Sequence, residues 1–142
     1  MVNTTIDLEL KNLDQNNKEV SKIVKVMLQE VSPFKSMPII SANTLYNAGG
    51  KTSYDWAAIV QQMSANEIGV IVSPKNIVKQ IEESTNATEA IILLGIEILK
   101  FCDSPRLYVL RKQEEVQRES QDTANDVGTD NTQPNDNGGT QA

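Results

Sequence analysis

Ala90 to Cys102, AIILLGIEILKFC, is an almost unbroken apolar run in a chain whose last two dozen residues contain almost nothing apolar. Such a run must be buried on nearly all sides, so it marks the centre of the core. Asn86 ahead of it reads as a helix cap with Glu89 at the third helical position, which predicts a helix from Ala87 to about Phe101. The isoleucine content keeps a strand open as the alternative. As a helix it places apolar side chains around most of its circumference, whereas a surface helix needs a stripe only roughly 100° wide. The excess needs cover, and a second subunit is the expected source. The reading is therefore a homo-oligomer, a dimer by default because two-fold closure is commonest, with Ile92, Ile96 and Leu99 as candidate interface residues.

Outward from this run, Thr5 to Lys11 alternates polar and apolar, a half-buried strand with Ile6, Leu8 and Leu10 on one face. Between Asn17 and Val31 the period changes: Val20, Ile23, Val24, Met27, Leu28 and Val31 form a helical stripe opposite lysines and glutamates, which predicts an amphipathic helix ended by Ser32-Pro33. Residues 34–52 are interrupted by Pro38 and by a Gly49-Gly50 turn, with Ile39-Ile40 as a short strand. Ser53 reads as the cap of a helix from Tyr54 to about Met63, and Ile68–Val72 as a buried strand. Ser73-Pro74 opens a further helix to about Glu83 with Ile77, Val78 and Ile81 inward. Residues 106–111 read as a strand running into a frayed helical end.

The resulting fold class is α+β: a small mixed sheet of three to four strands with about four helices. Residues 1–119 form one domain, and residues 120–142 a disordered acidic and polar tail, because Asp, Asn, Gln, Thr and Gly cannot bury enough apolar surface to offset ordering entropy. Net charge is −6, but the tail holds Asp122, Asp126, Asp130 and Asp136 without a base, so the body is nearly neutral. A neutral body argues against capture of nucleic acid or anionic lipid by clustered bases.

The chain has one cysteine and no histidine. Cys102 thus forms no intrachain disulfide and lacks the histidine that usually activates a nucleophilic thiol, and Ser-His-Asp triads and histidine-containing zinc sites are excluded. The stretch MVNTTIDLELKN lacks a charged segment followed by an apolar one, so no signal peptide is expected. The 90–102 run extends only about 20 Å as a helix, short of the roughly 30 Å of a bilayer core. The expected location is the cytoplasm, or the host cytoplasm or virion if the chain serves a virus.

Two motifs touch known chemistry. Gly49-Gly50-Lys51-Thr52 matches the second half of a phosphate-binding loop, but Leu45 stands where the first half needs a glycine. Residues 64–83, with Ser64-x-x-Glu67-Ile68-Gly69 followed by Ser73-Pro74-x-x-Ile77-Val78, resemble the rhythm of a helix-turn-helix, about two residues short in the turn. Paired carboxylates at Glu82-Glu83 and Glu114-Glu115 lie in polar settings and read as solvated faces rather than as acid-base catalysts. Phe34, Met37, Tyr46 and Lys51 mark a candidate binding loop, since loops on a scaffold are where binding residues concentrate.

The expectation is a non-enzymatic structural or interaction protein, such as a virion, phage or mobile-element accessory component. It has no catalytic residues, cofactor or metal, and binds itself and a protein partner rather than nucleic acid or membrane. The alternative is a nucleic-acid-binding regulator with a degenerate helix-turn-helix at 64–83.

Overall fold

The computed structural model describes residues 1–136, with side-chain surroundings through Ser120. The order is β1 (Asn3–Leu13), β2 (Glu19–Gln29), α1 (Pro33–Ala42), β3 (Thr44–Tyr46), β4 (Thr52–Tyr54), α2 (Trp56–Met63), β5 (Ile71–Ser73), α3 (Ile77–Glu82), α4 (Ala87–Asp103) and α5 (Pro105–Asp136). The class is α+β, with a three-stranded sheet ordered β1-β2-β5 and a two-stranded ribbon of β3 and β4. Residues 1–106 form one compact unit, and the chain from Leu107 a second.

The alternation of β1 is realised: Ile6, Leu8 and Leu10 are buried, while Asp7 and Glu9 face solvent. Residues 19–29, expected to be an amphipathic helix, are instead the strand β2. Two causes decide this. Asp14 closes a tight turn, its Oδ1 accepting from the amides of Asn16 (2.8 Å) and Lys18 (2.9 Å), with Asn17 left-handed at φ 61°. That turn pins the following residues beside β1, in a register that sets Val26 against Ile6, Val24 against Leu8 and Leu28 against Thr4. The helical stripe leaves out Val26, which is fully buried, and includes Val20, Ile23 and Met27, which are exposed. Cross-strand pairing overrides local periodicity here. β5 adds beyond β2 with a register shift at Met27/Leu28, and the buried strand expected at 68–72 is observed slightly displaced.

Ile39 and Ile40, expected in a strand, lie in α1. The cap of α2 is Asp55 rather than Ser53: Asp55 Oδ1 accepts from the amide of Ala58 at 3.1 Å, while Ser53 pairs with Leu45 in the ribbon. α3 begins at Ile77, three residues later than Ser73-Pro74 suggests, and buries Ile77 and Ile81 with Val78 half-buried. Between α2 and α3 lies β5, so residues 64–83 are a turn, a strand and a short helix rather than a helix-turn-helix.

The 90–102 run is helical, inside α4, and buries Ala90, Leu94, Gly95, Ile98 and Phe101. At 17 residues it is the central helix of the unit, packing on α2 and β1. Asn86 sits at its start but does not cap it. Its Oδ1 accepts from the amide of Lys11 (2.9 Å) and its Nδ2 donates to the carbonyl of Glu9 (3.0 Å), while the Thr85 amide donates to the Lys11 carbonyl at 2.7 Å. The side chain thus stands in for a short strand along the edge of β1, answering groups that would otherwise lack partners.

Residues 106–111, expected as a strand, are the start of α5. Ser104-Pro105 acts as the start signal that its residue types imply, and Arg111 to Glu115 are helix formers that need no sheet neighbour. Within α5, Lys112 lies over the ring of Tyr108 at 5.6 Å from its centroid. The 120–142 tail falls on the distal part of α5 and on residues outside the described ones.

Candidate functional site

Helix α1 begins with Ser32, whose Oγ accepts from the amide of Phe34 at 3.2 Å, and with Pro33 at the first helical position. Its inner side carries the buried Ser36 and the half-buried Ile39 and Ile40. Residues three and four apart share a helix face, so Phe34, Met37, Pro38 and Ser41 fall on the other side, all exposed. Phe34 is 91 % exposed, although it is a large aromatic on a capped helical turn. Pro33, Phe34, Met37, Pro38 and Ser41 border one shallow apolar concavity.

Met37 is also a wall of a second depression, an open groove of about 340 Å³ between α1, β4 and the end of α4. Ile40, Tyr54 and Leu99 complete its apolar lining, and the exposed Lys100 and Asp103 add a charge of each sign. Tyr54 is held there by stacking on Trp56, with ring centroids 5.0 Å apart and planes tilted by 43°. Trp56 in turn rests on Gly95 of α4. Lys100 Nζ reaches Glu97 Oε2 at 3.4 Å, one turn earlier on the same helix.

The residues singled out in sequence divide accordingly. Phe34 and Met37 meet at the site, but on a helix and not on a loop, because the first turn is capped and Pro38 does not end it. Tyr46 and Lys51 are exposed on the β3–β4 ribbon and line neither depression. Of the α4 residues, Leu99 is half-buried in the groove wall, Ile96 is half-buried and Ile92 exposed. At 100° per residue, Ile92, Ile96, Leu99 and Asp103 fall along one side of the helix, so the groove lies at the lower end of an apolar stripe. Ile40, Lys100 and Asp103 were not singled out. Their signal was present only as spacing from Leu99 and Met37, and it becomes legible once α1 is known to be a helix.

The Gly49-Gly50-Lys51 segment is the turn of the β3–β4 ribbon. Asn47 Oδ1 accepts from the amides of Gly49 and Lys51, each at 3.0 Å, and the Gly50 amide donates to the Asn47 carbonyl at 3.0 Å. The amides that a phosphate would need are spent inside the turn, and a strand follows where a phosphate loop needs a helix.

Cys102 is half-buried on α4 and hydrogen-bonded by the side chain of Ser36. Burial pushes its thiol up to about 11, the Ser36 bond pulling weakly the other way, so the sulfur is a neutral packing group at ordinary pH. Among the described residues no three His, Cys, Asp or Glu side chains come together as a metal site, and no helix is long and apolar enough to cross a membrane. Compared with family models, curated proteins and solved structures, the chain finds no significant match in any of the three.

Proposed function

We propose that this chain is a non-enzymatic interaction protein that works by self-association and partner binding through the face formed by α1 and the end of α4. The observation that carries the reading is Phe34, an aromatic almost wholly exposed beside an apolar groove. Aromatic anchors next to apolar depressions are where binding energy concentrates in protein interfaces. The surface is shallow and mostly apolar, which suits a protein side chain better than a small polar substrate. Its charged residues, Lys100 and Asp103, are both solvent-exposed, as charge at an interface usually is.

The test is a photo-crosslinking amino acid placed at position 34 in the producing cell, with position 16 in the exposed β1–β2 turn as control. Discrete crosslinked protein species from position 34 and none from position 16 support the reading. Absence of any such species from position 34 rejects it.

A further inference from the structure

We draw no further inference here: the strongest candidate, the exposed apolar face of α1 around Phe34 with the groove beside Met37, belongs to the site already described, and nothing in the structure shows what covers it.

Discussion

The indole of Trp56 lies so close to Gly95 that a Cβ built on the glycine would stand 2.5 Å from Trp56 Cε3. Gly95 is buried in the middle of α4, where alanine would otherwise be preferred by about 1 kcal/mol. Here the contact reverses that preference, since overpacking a fixed ring costs about 1–3 kcal/mol. Gly95→Ala is expected to lower stability by a net of up to about 2 kcal/mol, read by urea unfolding. In the background of Trp56→Leu the same change should become neutral or favourable. A stabilising Gly95→Ala in the otherwise unchanged chain would show that the ring moves aside freely. Because Tyr54 stacks on Trp56, the substitution should also loosen the groove wall.

Asn86 joins the start of α4 to the edge of β1 through two hydrogen bonds from one amide. Asn86→Ala removes both and leaves the Lys11 amide and the Glu9 carbonyl to water, a loss of about 1–2 kcal/mol. Asn86→Asp keeps the acceptor for Lys11 but turns a second acceptor towards the Glu9 carbonyl, so it too is destabilising. Hydrogen exchange at the Lys11 amide separates the two: fast in the alanine variant and slow in the aspartate. Equal exchange in both would mean that the amide is protected by something other than this side chain.

The Cys102 thiol titrates near 11 in the folded chain against 9.0 for an unburied thiol. Between those values the unfolded chain has lost a proton that the folded chain retains, so stability falls as pH rises. Its contribution is therefore full below about pH 9 and is lost as pH climbs towards 11. The parent should lose stability relative to Cys102→Ala across that window and run parallel to it from pH 6 to 8. Iodoacetamide at pH 8 should label the folded chain far more slowly than the chain in urea. Rapid labelling of the folded chain would show an exposed, ionised thiol.

Most of the core was legible because two elements carry unambiguous patterns. Ile6, Leu8 and Leu10 alternate, and the Ala90–Cys102 run is long and clearly bounded. Residues 19–29 were not, because Val20, Ile23, Val24, Met27 and Leu28 fit a helical stripe, and only the neighbouring strand makes the Val24, Val26, Leu28 alternation the one that counts. The candidate site was half legible. Phe34 and Met37 stand out as large apolar residues among prolines, but Tyr54, Leu99 and Asp103, which share the groove with Met37, come from elements distant in sequence, and no local pattern links them.

Residues 120–142 carry no apolar side chains beyond Ala124, Val127 and Ala142. A chain ending at Glu119 should melt within a few degrees of the full one, since changes away from a packed surface are worth about 0.5 kcal/mol or less. A drop beyond ten degrees or so, far more than such a change produces, would show that these residues dock on the body.

The two hairpins share one turn. Asp14-Gln15-Asn16-Asn17-Lys18 and Asn47-Ala48-Gly49-Gly50-Lys51 each use the first side chain to accept two amides, a left-handed fourth residue, and a lysine that closes the turn. The fourth position is Asn17 at φ 61° in one and Gly50 at φ 80° in the other. A Cβ on Gly50 meets nothing within 4 Å, so any penalty there is purely conformational. Gly50→Asn should therefore be nearly neutral, since asparagine already serves at the matching place, whereas Gly50→Val should cost about 1–2 kcal/mol. Asn47→Ala should cost about 1 kcal/mol by handing the exposed amides of Gly49 and Lys51 from the side chain to water. If the glycines were instead there to cradle phosphate, titration with ATP and magnesium would show saturable binding that Lys51→Ala abolishes. The expected calorimetric trace is flat for the parent and for Lys51→Ala alike, because the turn has already bound its own amides.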